Sequence, residues 1–277
     1  MDPESGLDDI LSVAIDDGTI SALATSPLFG RAEVDAAGYV VAPGFIDLHS
    51  HGQDQENYEI QAQDGVTTAL ELEVGVGDVD RWYDRREGKA LINYGASVGH
   101  IPARMDLMGD PGDFLPHGDA AHRRASEEEI DNLKARIEHG LRRGALAVGF
   151  GIAYTPAASR WEVMEIFRVA ARHGAACHVH MRGGGTVEPG SSLEGLQEVI
   201  TASLITGAPL HVVHIASSGL RSTPHLLQAI AEARAHGLDV TTECYPYTAA
   251  MTYIQSAGFG EDWQRRSGMD YGDLEWT

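Results

Sequence analysis

The sequence predicts an α/β chain: a (β/α)8 TIM-type barrel with about seven of its eight strands present, preceded by a small N-terminal β-appendage. Three observations predict it. From about residue 45 onward, short apolar runs alternate with amphipathic stretches. Each run is brief and bounded by Gly, Pro or Asp, as buried parallel strands are. No GxGxxG follows the first run, and seven runs in one direction suit a barrel better than an open dinucleotide-binding sheet.

The appendage comes first. Residues 10–15 and 19–24 flank Asp16-Asp17-Gly18, a hairpin turn signal, and residues 39–41 lead into Pro43-Gly44. Residues 1–44 are assigned to this partial, sandwich-like appendage and residues 45–277 to an incomplete barrel. The strand candidates are 45–49, 66–74, 96–101, 145–150, 175–181, 210–215 and 240–245. Helices separate the later ones. Ser126 and Glu129 make a capping box ahead of Ile130, Leu133, Ile137 and Leu141, closed by Gly144. The same grammar runs from Val163 to Gly174, from Leu193 to Gly207 and from Leu226 to Gly237. The last fifteen residues reach no strand.

Composition excludes several functions. With 41 acidic against 20 basic side chains the 277-residue chain carries a formal charge of −21, so no Lys/Arg excess exists to displace counterions from nucleic acid. The only lysines are Lys89 and Lys134, which leaves arginine to meet any anionic group. Cys177 and Cys244 show no CxxC spacing and read as small core fillers in a reducing compartment. No apolar run is long enough for a membrane span, and the start lacks a signal-peptide pattern. A cytoplasmic protein acting on a small molecule, with neither nucleic acid nor membrane as partner, is expected.

Barrel chemistry sits where strands end. His49 and His51, Glu71 and Glu73, His100, Tyr154, His178 and His180, His214, Tyr245 and Tyr247 stand at those ends. Residues i and i+2 of a strand share a face, so His49-Ser50-His51 aims two imidazoles into the barrel mouth. With His180 and His214 from later strands and a bridging carboxylate, this outlines a zinc site of one or two ions. Glu71 and Glu73 also share a face and should point inward, because an outward pair would bury two charges against helices. Asp47 reads as a loop holder, His178 as a satisfied core histidine one layer deeper, His100 as either a site contact or loop packing, and Gly183-Gly184-Gly185 as an active-site loop.

The ordered set of motifs carries a resemblance. Val41-Ala42-Pro43-Gly44-Phe45-Ile46-Asp47-Leu48-His49-Ser50-His51 resembles the first-strand signature of the metal-dependent amidohydrolase superfamily. Gly65-Val66-Thr67-Thr68, Gly99-His100, Gly151-Ile152-Ala153-Tyr154, His180-Met181-Arg182, His214-Ile215 and Tyr245-Pro246-Tyr247-Thr248 narrow it to the D-aminoacylase branch, over roughly residues 8–248. The resemblance implies zinc-dependent hydrolysis of N-acyl-D-amino acids through a metal-activated water. It places His49, His51, His180 and His214 as metal ligands and Tyr154 and Tyr247 as substrate contacts. One ion would lie between His180, His214 and a strand-2 glutamate, with His49 and His51 completing it or adding a second.

Departures accompany the resemblance. Where the family has a cysteine ligand on strand 2, this chain has Ala69-Leu70-Glu71-Leu72-Glu73-Val74. Glu73 is expected to replace the thiolate, with Glu71 the alternative, although alignment on Gly75 puts Val74 opposite the cysteine. Strand 4 offers no lysine for a carbamylated bridge, and Ala216 stands where relatives carry a lysine, leaving Arg182 as candidate for a substrate carboxylate. The superfamily's base, a strand-8 aspartate, has no counterpart, so the catalytic base is unassigned and the chain reads as a fragment. Alternative readings are a cyclic amidase, an isoaspartyl dipeptidase, or a truncated non-catalytic module.

Overall fold

The computed structural model describes residues 1–261 and 263–275; Asp262, Trp276 and Thr277 lie outside the described residues. Strands β1 (Ser12–Asp16) and β2 (Thr19–Ala24) form an antiparallel hairpin by themselves. Its turn puts Asp17 and Gly18 at φ 48° and 74°, the left-handed pair that a two-residue hairpin requires. Residues 39–41 form no strand, contrary to the sequence pattern.

Seven strands follow in one parallel sheet: β3 (Phe45–Asp47), β4 (Val66–Val76), β5 (Asn93–Gly99), β6 (Ala147–Gly151), β7 (Ala176–His180), β8 (Leu210–Val212) and β9 (Val240–Thr242). Their order in the sheet is their order in the chain, as successive right-handed βαβ units dictate. The sheet curls: side chains just past β3 and β9, its two edge strands, meet at 2.6 Å through His49 and Glu243. This is the architecture of a TIM-type barrel.

The helices are α1 (Gln55–Gln63), α2 (Val79–Asp84), α3 (His100–Met108), α4 (Asp119–His122), α5 (Glu127–Arg142), α6 (Arg160–Arg172), α7 (Ser192–Thr206), α8 (Ile215–Gly219), α9 (Thr223–Ala235) and the short α10 (Trp263–Ser267). The capping box expected at Ser126 and Glu129 forms on α5, and Ser191 with Glu194 repeats it on α7. Gly207 ends α7 at φ 79°, where a side chain would be strained. Val148, Phe150, Val179, Val212 and Val240 pack outward against Leu133, Ile137, Phe167, Leu196, Val199 and Leu226 of the helices. This core, with a smaller cluster of Val74, Ile101, Met105, Leu115 and Ala120 beside it, holds the strands whose ends carry the site side chains.

Candidate metal centre

Glu73 is the hub. It lies on β4 with its side chain 4% exposed, and its bond to His180 at the end of β7 skips two intervening strands. Only a path across the barrel interior allows that, so the inward orientation expected of Glu71 and Glu73 is what the sheet adopts. Glu73 Oε2 lies 2.8 Å from His49 Nε2 and 3.1 Å from His51 Nε2, and these two nitrogens are 3.1 Å apart. Glu73 Oε1 lies 2.7 Å from His180 Nδ1 and 3.8 Å from His214 Nε2, and those nitrogens are again 3.1 Å apart. One carboxylate thus offers one oxygen to each of two histidine pairs.

Local structure explains each placement. The Asp47 carboxylate accepts from the His49 backbone N–H at 2.9 Å, which turns the chain as it leaves β3. Past Glu73, the backbone at Gly75 has φ 68°, and a Cβ there would meet Ser97 Oγ at 2.4 Å and Gly99 at 2.8 Å. Glycine is required there for both reasons, and its N–H donates to Glu71 Oε1 at 3.2 Å. His214 stands before α8 with φ 33° and ψ 53°, an uncommon conformation for a residue with a side chain. Its Nδ1 is held by the Ser217 and Ser218 hydroxyls at 3.1 Å each.

Two residues not singled out from the sequence complete the centre. Glu243, just after β9, accepts from His49 Nδ1 at 2.6 Å and from His211 Nε2 at 3.1 Å. His211 on β8 is held in turn by Thr241 Oγ1 at 2.8 Å from Nδ1. Parity along Thr241 and Glu243 could have found the carboxylate; attention to Tyr245 and Tyr247 hid it. Glu71 Oε2 accepts from His51 Nδ1 at 2.7 Å.

Donor chemistry supports a cation here. Because His49 and His51 donate from Nδ1, their Nε2 atoms carry lone pairs when the rings are neutral. Two such lone pairs and a carboxylate oxygen converging within 2.8 to 3.1 Å make a set that a metal ion can hold together, in place of the protons that the rings otherwise carry. Nitrogen and oxygen donors in threes are what zinc uses, and both sets, His49, His51, Glu73 and Glu73, His180, His214, have donor atoms close enough to share an ion.

The acidities follow the carboxylates. Burial alone would push His49 and His51 down, but Glu243 and Glu73 lift His49 to about 10, and Glu71 and Glu73 lift His51 to about 9. Burial raises the Glu73 carboxyl, and the four histidines outweigh that and hold it well below the usual range. At the other end burial and neighbouring His214 push His180 down. Burial, then the Glu73 charge, raises the Tyr154 phenol to about 12, so it stays neutral. The Tyr154 ring meets the His180 ring edge-on at 4.8 Å, and its hydroxyl lies 3.2 Å from Thr252 Oγ1.

Other expected site residues fare differently. Tyr247 is 71% exposed and stacks on Tyr245. Arg182, expected to meet a substrate carboxylate, donates its guanidinium to both oxygens of Glu198 and to the carbonyls of Pro156 and Ala158. Those four bonds tie the loop at Pro156 and Ala158 to α7. His100 begins α3 instead of ending a strand, and contacts Glu162 away from the centre. His178 stacks on His211 at 4.6 Å with Nδ1 unpartnered, so it is buried without being satisfied. Cys177 is buried as expected, whereas Cys244 is exposed.

Residues 32–94, which hold His49, His51, Glu71 and Glu73, match the amidohydrolase family. The D-aminoacylase of Alcaligenes xylosoxydans xylosoxydans is 28% identical over 263 residues, 80% of this chain and 50% of that protein. A dihydroorotase of Anaeromyxobacter sp. (strain K) is 26% identical over 280 residues, 95% of this chain and 62% of its own. The crystal structure of N-acyl-D-glutamate deacylase from Bordetella bronchiseptica, complexed with zinc and a phosphonate inhibitor, superposes with TM-score 0.68 at 25% identity, covering 86% of this chain and 54% of that one. The chain therefore spans about half the length of the first of these curated relatives. The matched stretch, the fold and the strand-end histidines agree in making this chain similar to amidohydrolases, D-aminoacylase and N-acyl-D-glutamate deacylase among them.

Proposed function

We propose that this chain carries the two-ion zinc centre of an amidohydrolase that cleaves the amide bond of N-acyl-D-amino acids. The observation that carries the reading is Glu73, whose two oxygens each face a different histidine pair. His49 and His51 with one oxygen, and His180 and His214 with the other, would hold the ions. A zinc ion there supplies Lewis acidity toward the scissile carbonyl. The protein's own groups do the rest. Tyr154, kept neutral and packed on His180, presents a phenolic O–H donor beside the centre, placed to hold a substrate oxygen. Tyr247, exposed beside Tyr245, is a further candidate contact for a small-molecule substrate entering the barrel mouth. The division into a β-appendage over residues 1–44 and a barrel portion over 45–277 belongs to the same proposal. So does a cytoplasmic setting, with which the free cysteines agree.

Similarity to dihydroorotases supports a second reading, a cyclic amidase using the same centre. Zinc analysis tests the centre itself: the purified chain should retain divalent ion through gentle desalting, and a metal-free product that takes up none overturns the reading. N-acetyl-D-amino acids, dihydroorotate, hydantoins and β-aspartyl dipeptides, offered to the zinc-supplemented protein, separate the substrates. Turnover confined to the cyclic amides displaces the first choice.

A further inference from the structure

The two triads that share Glu73 are backed differently. Behind the His49 and His51 rings stand two more carboxylates: Glu243 on His49 Nδ1 at 2.6 Å and Glu71 on His51 Nδ1 at 2.7 Å. Both are anchored, Glu71 by the Gly75 N–H and Glu243 by His211, which is itself held by Thr241. Among the described residues, behind His214 stand only the hydroxyls of Ser217 and Ser218, and against His180 lies the Tyr154 ring. Among the described residues, three carboxylates therefore serve one triad, Glu73 within it and Glu71 and Glu243 behind it, and Glu73 alone serves the other.

A carboxylate on the far nitrogen of a ligating imidazole fixes the tautomer, aims the lone pair at the ion and strengthens the donor. It also adds negative charge in a partly buried site, where a divalent cation feels it strongly. Hydroxyls give orientation without charge. We propose that Glu71 and Glu243 make the His49–His51–Glu73 triad the site a single divalent ion fills first, with His180–His214–Glu73 second. Glu243, steadied by His211, is in this scheme a positioning residue that touches no ion and sets the order of filling. The inference rests on the metal-centre reading above and goes beyond it, because the resemblance put the first ion between His180, His214 and the strand-2 glutamate.

The test is a zinc titration of the full 277-residue chain, followed by the nitrogen shifts of the imidazole rings. Below one equivalent, His49 and His51 should move while His180 and His214 stay; movement of His180 and His214 first overturns the proposal. Glu243→Gln keeps shape and removes charge, so first-site affinity should fall about 10–100-fold and the filling order should even out or reverse. Glu243→Asp should restore the order. Unchanged affinity and order in Glu243→Gln overturn the role given to Glu243. Should that variant misfold, His211→Gln, which loosens Glu243 without removing it, must weaken the same site, and an unaltered order there counts against the proposal. Uptake of no zinc by the unaltered chain sinks the metal-centre reading itself, a result distinct from uptake in the reverse order.

Discussion

Inside the barrel mouth, Glu73 meets four histidines from three parts of the chain; between α3 and α6, Glu162 meets His100 at 2.7 Å and the Arg104 guanidinium at 2.6 Å. The residue types nearly coincide, and the environments do not. His49 and His51 keep 22% and 35% of their side chains exposed, so an ion and water can reach them. His100, Arg104 and Glu162 are wholly buried against Phe150, and Arg104 also donates to the Ala120 and Arg123 carbonyls. A His–Glu pair facing a mouth collects donors around a point; the same pair sealed between helices with a permanent cation is a clasp. Access and the identity of the third partner, more than residue type, separate a site from a strut.

Removing Glu162 should produce the largest effect. Glu162→Ala leaves the Arg104 charge buried without its carboxylate, a loss of about 3–5 kcal/mol for a broken buried pair. Denaturant unfolding reads it, and zinc uptake per folded chain should stay at the wild-type level. A cost below about 1 kcal/mol would show that the clasp is not what holds α3 to α6.

Glu73→Gln should remove what Glu162→Ala leaves intact. Both triads lose their shared anionic donor, so zinc affinity should fall by well over the 10–100-fold typical of groups behind the ligands. The metal-free chain should lose stability too, because His49 and His51 are left without a carboxylate that holds them; loss of zinc uptake per folded chain is what sets this variant apart. Zinc retention by this variant, with loss in Glu71→Gln, would exchange the roles of the two glutamates; retention in both would leave a histidine-only centre.

Ligand linkage sharpens the contrast further. Zinc at 100 times its dissociation constant should stabilise the parent by about 2.7 kcal/mol, visible as a raised Tm that a chelator abolishes. Glu73→Gln at that same zinc concentration should gain almost nothing, and a shift equal to the parent's would place the ion elsewhere.

The mouth was far more legible in the sequence than the clasp. Strand parity alone put His49 with His51 and Glu71 with Glu73 on common faces, and strand ends picked out His180 and His214. Those are local rules: the sheet obeys parity at Glu71 and Glu73 within β4, whereas His49 and His51 stand just past β3 and His214 just past β8. Glu243 escaped because the run 240–245 reads as one apolar strand, whereas β9 stops at Thr242 and turns the carboxylate inward. His211 escaped because His214, three residues on, better fitted a strand end. The clasp joins residues 58 and 62 positions apart, which no periodicity encodes. Glu162 is disguised as well: three residues after Ser159 it looks like half of a capping box, and its backbone N–H does bond the serine, but its carboxylate turns into the core. The bonds of Arg182 to Glu198 were hidden for a related reason, since position beside a strand end says nothing about which carboxylate the guanidinium meets.

The gentlest test of the clasp is acid. Burial is the main cause of the lowered His100 pKa, opposed by its bond to Glu162 and reinforced by the Arg104 charge. The folded protein therefore keeps this ring neutral below the pH at which an unfolded histidine, with a pKa near 6.5, takes up a proton. The unfolded state then binds more protons, so stability falls as pH drops below about 6.5, by at most about 1.4 kcal/mol per pH unit from this one group. Glu162, also held below its ordinary value, adds its own loss only at lower pH, when unfolded carboxylates begin to protonate. Between pH 7 and pH 5.5, His100→Gln should thus show a flatter stability profile than the parent, measured by denaturant midpoint in the presence of chelator. Parallel profiles would mean that His100 is protonated in the folded chain, and the triad would then be two cations on one carboxylate.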